Sequence, residues 1–177
     1  MDEAGKLAAQ FINVHDQPNA KENRPLLRQR IRAGYDTLVA MKQVDPKQVV
    51  VMGYCFGGTT ALELARSGAP LVGTVTFHGG LSNPAPEDAK NIHGRVLILH
   101  GGDDPFATAS DVAAFKQEMK NANVDMQFVV FPGAVHAFTN PAAGNDKSKG
   151  VAYDAKADKD SWQKFEDFLK EVFKKKD

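Results

Sequence analysis

A second cysteine is missing from this 177-residue chain, so Cys55 can form no intramolecular disulfide, and any metal site would have to rely on histidines and carboxylates. Intermolecular pairing or thiol chemistry is what remains open to it. A bias of charge is missing too. The 22 Lys+Arg residues balance 22 Asp+Glu, which leaves no overall field to recruit nucleic acid, an anionic membrane or an acidic substrate. Long hydrophobic runs are absent. No stretch approaches the roughly 20 apolar residues of a membrane span, and Met1-Asp2-Glu3-Ala4 has neither the basic start nor the apolar run of a secretory signal. No nucleic-acid or membrane partner is expected, and the reducing cytoplasm is the expected location. What is present, 42% hydrophobic and 25% charged residues, is the profile of one globular domain over residues 1–177 with a real core.

There is no internal repeat and no low-complexity linker. Short β-branched runs alternate with helical patterns, which argues for an α/β fold built on a parallel sheet of about four strands flanked by helices. A short helix is expected over Asp2–Ile12, then a polar stretch at His15–Asn23. A clearer helix runs from Arg24 to Lys42, where Leu27, Ile31, Tyr35 and Leu38 recur at helical spacing and Pro25 sits in the first turn. Strands are expected at Val49–Gly53, Leu71–Phe77, Arg95–His100 and Met126–Phe131, the first of them apolar enough to be buried on both faces. Helices are expected at Gly57–Ser67, closed by Gly68, and at Ser110–Asn121, opened by a Thr108-to-Asp111 capping arrangement. The last helix, about Asp158 to Phe173, carries a core-packing stripe of Trp162, Phe165, Leu169 and Val172.

The chemistry gathers at the strand ends. Gly53-Tyr54-Cys55-Phe56-Gly57-Gly58 lies between an expected strand and an expected helix, the context of a nucleophile elbow. So sharp a turn strains its central residue and calls for glycines two before and two after it, and it pushes the Cys55 side chain out at the C-terminal rim of the sheet. At a helix N-terminus the thiolate is favoured, and the Phe56 N–H is placed to donate to an oxyanion. A buried structural cysteine beside a tight turn is the bland alternative. Two later loops weigh against it. His100-Gly101-Gly102-Asp103-Asp104-Pro105 follows the third strand, and Pro132-Gly133-Ala134-Val135-His136-Ala137-Phe138 follows the fourth. Nucleophile, acid and histidine then occur in the chain order of the α/β-hydrolase triad, each at the end of a successive strand. In that arrangement His136 takes the Cys55 proton as general base and an aspartate, Asp104 rather than Asp103, orients the imidazole.

The segments Gly53–Gly58, Phe77-His78-Gly79-Gly80, His100–Phe106 and Gly133–Phe138 resemble those of the dienelactone hydrolase family, cysteine hydrolases of the α/β-hydrolase fold, over nearly the whole chain. The resemblance implies Cys55 as nucleophile, His136 as base and Asp104, the last residue of a Gly-Gly-x-Asp motif, as acid. It also implies a partial version of the fold. Family members carry a segment ahead of the nucleophile that supplies the first strands, a loop completing the oxyanion hole and a glutamate that interacts with the cysteine, whereas here Cys55 follows one clear helix and one short one. Loss of one of two oxyanion donors is worth about 10²–10³ in rate. The strand at Val49–Gly53 would become an apolar edge open to self-association. Where family enzymes acting on the anionic dienelactone place an arginine, this chain reads Thr139-Asn140, so a neutral ester, lactone or thioester is the expected substrate.

Other residues have two readings. His78 can face the pocket as a substrate contact or be a rim histidine bonded to loop backbone. Phe106 and Phe138 flank acid and base and either line an apolar pocket or cap the core, and Tyr54, beside the nucleophile, can face the substrate or turn away. His100 opens a glycine turn and reads as structural. His15 and His93 have no partners at metal-ligand spacing, so no metal is assigned, and no cofactor is expected. The glycine pairs lack the lysine and spacing of phosphate loops. The leading expectation is hydrolysis of an ester or lactone through a thiol acyl-enzyme. A rival is a catalytically silent chain that serves as an assembly module, recognisable by a thiol, imidazole and carboxylate out of reach of one another. Redox chemistry at Cys55 is disfavoured by the want of a resolving cysteine.

Overall fold

The structure, a computed structural model, describes residues 20–174. The helix expected over Asp2–Ile12 lies outside them. The first described helix, α1 (Ala20–Val39), starts earlier than the periodicity suggests and ends three residues short of Lys42, in turns closed by Met41 N–H on Leu38 O and Val44 N–H on Met41 O. There follow β1 (Val50–Tyr54), α2 (Phe56–Arg66), β2 (Gly73–Phe77), β3 (Arg95–Gly101), α3 (Ala109–Asn121), β4 (Met126–Phe131) and α4 (Ala155–Val172).

The four strands form one sheet in the order β1-β2-β3-β4, all parallel, with helices on both faces. In register, Tyr54 stands beside Phe77, Phe77 beside Leu99, and Gly101 beside Phe131. All four strands therefore release their following loops along one rim. Strand β3 is the centre. Val96, Leu97, Ile98 and Leu99 are each no more than 1% exposed because both faces are covered, which is why the segment reads as an unbroken apolar run. On one face Val75, Phe77, Leu97 and Leu99 pack under α4 through Phe165 and Phe168. On the other, Val96 and Ile98 meet Leu62 of α2 and Phe115 and Met119 of α3.

Some local readings change. Trp162 is half exposed and donates Nε1–H to Glu166, while Phe168, absent from the expected stripe, is buried in the centre of the contact. Helix α4 starts three residues before Asp158 because the Asp154 carboxylate accepts from the N–H groups of Lys156 and Ala157 and caps it. Strand β1 is not buried on both faces. Its outer edge has no strand partner among the described residues and Met52 and Tyr54 are exposed, while Val49 and Val51 are sheltered by Tyr35 and Ile31 of α1 and Val50 packs against the core under α4.

Helix α1 is fastened by charge as well as packing. Arg24 and Arg28 both reach Glu63 of α2, at 2.9 and 2.7 Å, and Arg28 also pairs with Asp88. Arg66, fully buried, bonds Glu63 and grips Glu118 of α3 with two N–H groups at 2.8 and 2.9 Å. Three guanidinium groups thus face three carboxylates, an arrangement in which no buried charge is left without a counter-ion. The network ties α1 and α3 to α2, the helix whose N-terminus carries the thiol.

Candidate active site

Cys55 sits between β1 and α2 at φ 53° and ψ −123°, a left-handed conformation that a β-carbon resists. The turn is held because the Cys55 N–H donates to Phe77 O at 3.0 Å, while the Cys55 carbonyl accepts from the N–H groups of Gly58 and Thr59. A β-carbon at Gly53 would lie 2.1 Å from Gly57 O, and one at Gly58 would lie 3.0 Å from both Gly79 Cα and Thr76 Cβ. Gly57 itself faces open space. The close approaches are therefore made by the glycines two before and three after the cysteine, not two after.

The loops that carry Asp104 and His136 arrive on the same rim. His136 Nε2 is 3.0 Å from Cys55 Sγ, and His136 Nδ1 is 2.9 Å from Asp104 Oδ2. The second carboxylate oxygen, Asp104 Oδ1, accepts the Phe106 N–H at 2.9 Å. Asp103 is turned out to solvent, with its own N–H on Ala134 O, so the turn brings Asp104 and not Asp103 against His136. The His136 backbone is held on both sides by the segment after it, its N–H on Gly150 O and its carbonyl receiving Ala152 N–H. Thiol, imidazole and carboxylate form one hydrogen-bonded line, within the reach that a silent assembly module would lack.

The electrostatics follow from that line. The hydrogen bond from His136 lowers the Cys55 thiol below its ordinary range, with a further contribution from the Phe56 N–H, against the opposing effect of partial burial. For His136, burial works to lower the value, but the hydrogen bonds to Asp104 and Cys55 outweigh it and raise the imidazole to about 9.

Beside Cys55 and His136 opens a cleft of about 320 Å³ walled by Phe56, Thr59, Gly80, Phe106, Ala107 and Val151. No lysine or arginine is among its lining residues. Phe106 lines it, 63% exposed and edge-on to the His136 ring at 5.1 Å. The other three expected substrate contacts do not line it. Phe138 is wholly buried against Phe131, because the left-handed Ala137 that follows His136 turns the next side chain inward to the core. Tyr54 stacks on Phe77 at 4.6 Å, on the face of the sheet that α4 covers. His78 is buried under the rim, and its partner is the Thr139 hydroxyl, not loop backbone. Thr59, Ala107 and Val151 were missed. Thr59 stands one turn into α2 from the thiol, a position the elbow motif itself could have supplied.

Comparison with known proteins agrees with this fold. The sequence model of the dienelactone hydrolase family matches residues 5–173. The chain belongs to the dienelactone hydrolase family. An uncharacterized Caenorhabditis elegans protein, K02A2.1, is 33% identical over 151 residues, which are 83% of this chain and 94% of that protein. A Saccharolobus solfataricus protein, provisionally named a carboxymethylenebutenolidase, is also 33% identical, over 98% of this chain and 61% of its own length. The solved structure named m3DLH superposes with a TM-score of 0.85 at 40% identity, covering 98% of this chain and 70% of that one. The fold is that of the α/β-hydrolases and the family is one of hydrolases. The chain spans under two thirds of the Saccharolobus relative. Among the described residues no helix is long and apolar enough to cross a membrane.

Proposed function

We propose that this chain hydrolyses uncharged ester or lactone bonds through a thiol acyl-enzyme on Cys55, with His136 carrying the proton and Asp104 orienting it. The observation that carries the proposal is the Sγ–Nε2 and Nδ1–Oδ2 line at 3.0 and 2.9 Å opening onto an apolar cleft. The lowered thiol and the raised imidazole both favour passage of the proton from Cys55 to His136, the general-base step expected from the motif.

The thiolate attacks the carbonyl carbon, and the developing oxyanion is met by the Phe56 N–H at the positive end of α2. Collapse breaks the carbon–oxygen bond, and the His136 imidazolium gives its proton to the departing alkoxide. Neutral His136 then takes a proton from water, whose oxygen attacks the thioester. The second collapse releases the carboxylic product and restores the thiolate–imidazolium pair. Because no lysine or arginine lines the cleft, a substrate carboxylate would be desolvated there with no partner beyond the catalytic imidazole itself.

The test is kcat/KM against pH for a neutral activated ester, beside a carboxylate-bearing analogue. The acid limb is expected below the ordinary thiol range, since Cys55 must be ionised. The alkaline limb is expected near pH 9, where His136 loses its proton, and the neutral ester is expected to be preferred. A rate still climbing through pH 9, or preference for the charged analogue, would contradict the proposal.

The open edge of β1 supports a second property, pairing with another copy of this chain. Met52 and Tyr54 on that edge and Trp162 on α4 are exposed, and an unpaired strand edge recruits another strand. Light scattering at high micromolar concentration is expected to give a dimer that Met52→Lys weakens. A strictly monomeric species would end this proposal.

A further inference from the structure

We infer that His78 is a positioning residue for the base: by hydrogen-bonding Thr139 it clamps the loop that carries His136 to the end of β2. The inference rests on the reading of His136 as proton carrier and adds what holds that imidazole against the thiol.

His78 is the first residue after β2, and its backbone is still fixed to the sheet, with its N–H on Leu99 O at 2.8 Å. Its φ of 42° is left-handed, an uncommon conformation for a side chain of this size, and it turns the ring back under the rim instead of out to solvent. There the ring is 3% exposed, edge-on to His136 at 5.2 Å and to Phe138 at 5.1 Å. Nε2 lies 2.8 Å from Thr139 Oγ1, a contact between residues 61 apart in the chain.

The other ring nitrogen decides the direction of that bond. Nδ1 is buried and has no partner beyond a weak interaction with the backbone of His78 itself. A bare lone pair is the cheaper group to leave unsatisfied, since a buried N–H without an acceptor loses its full hydration, so the proton belongs on Nε2 and is donated to the threonine oxygen. Burial, with the neighbouring His136 charge, also holds His78 down to about 4, so the ring stays uncharged beside an imidazolium.

The base loop is held at several points, among them the Asp154 N–H on Phe138 O at 3.0 Å and the Asp103 N–H on Ala134 O. Gly150 and Ala152 hold the His136 backbone from one side, and His78 holds Thr139, three residues on, from the other. Between them Ala137 takes a left-handed turn. Releasing the His78 contact loosens the downstream end of this loop, and misplacement of the ring by about 1 Å can cost on the order of 10²-fold in rate.

The experiment measures kcat, KM and the ultraviolet titration of the Cys55 thiolate in the full chain and in H78F, H78Q, T139V and H78F/T139V. H78F keeps a ring without Nε2, whereas H78Q can present an amide N–H near the same place. Expected are a fall in kcat of roughly 10- to 100-fold in H78F and T139V with KM little changed, a thiolate midpoint moved up toward that of a free cysteine, a double variant no worse than the worse single one, and recovery in H78Q. Folded T139V and H78F with wild-type kcat and wild-type thiolate titration would overturn the clamp, as would additive losses in the double variant. If H78F does not fold, T139V decides alone. Cys55→Ala in the same assay separates the two levels. Hydrolysis that survives it overturns the catalytic reading and the clamp together, while hydrolysis that needs Cys55 but ignores both His78 and Thr139 overturns only the clamp.

Discussion

Replacing Asp104 by asparagine is expected to lower kcat by about 10⁴-fold with little change in melting temperature. The carboxylate is buried and has both oxygens engaged, Oδ2 with His136 Nδ1 and Oδ1 with the Phe106 N–H. An amide has one oxygen for these two donors. If that oxygen keeps the Phe106 N–H, the amide N–H₂ faces His136 Nδ1 and forces the imidazole into the tautomer with its proton on Nε2, aimed at sulfur. The imidazolium can then no longer be supported from behind. The thiolate should fade with it, so a loss of ultraviolet thiolate absorbance at neutral pH is expected alongside the loss of rate. A fall of less than tenfold would remove Asp104 from the mechanism.

Cys55→Ala is expected to lower hydrolysis by roughly 10⁴-fold or more, into the background of spontaneous reaction. Alanine keeps the left-handed turn no more strained than cysteine does and leaves the cleft and the Phe56 N–H in place, so the fold should persist and the loss should fall on kcat. Cys55→Ser is a sharper comparison. A hydroxyl is far too weak an acid to hand its proton to His136 in the resting state, so serine must be activated during attack, and a large part of the rate should be lost although the atom is nearly isosteric.

Much of this architecture could be read from residues alone, for identifiable reasons. Strand β4 and the Thr108–Asp111 capping box on α3 match expectation because alternation and local side-chain-to-backbone bonds are written in a few neighbouring positions. The elbow was legible because Gly53 must yield to the backbone of Gly57, and the order Cys55, Asp104, His136 because parallel strands deliver successive loops to one rim. What could not be read depends on distant partners. Nothing local says that Glu63, Arg66 and Glu118 lie buried together, since their pairing joins two helices through residues 52 apart in the chain. Nor does spacing show that Phe138 turns inward while Phe106 turns out, because the left-handed Ala137 sets the first and the Asp104 turn sets the second. His78 is the clearest case. Its side chain is defined by Thr139, on a loop that sequence places but cannot orient.

The most direct measurement is intact-protein and peptide mass spectrometry after rapid quenching with an activated neutral ester. A covalent thiol acyl-enzyme predicts one acyl group added to the peptide bearing Cys55, absent from Cys55→Ala and decaying as product appears. Steady turnover with no acyl group ever found on Cys55, or with an acyl group carried on another residue, would contradict it.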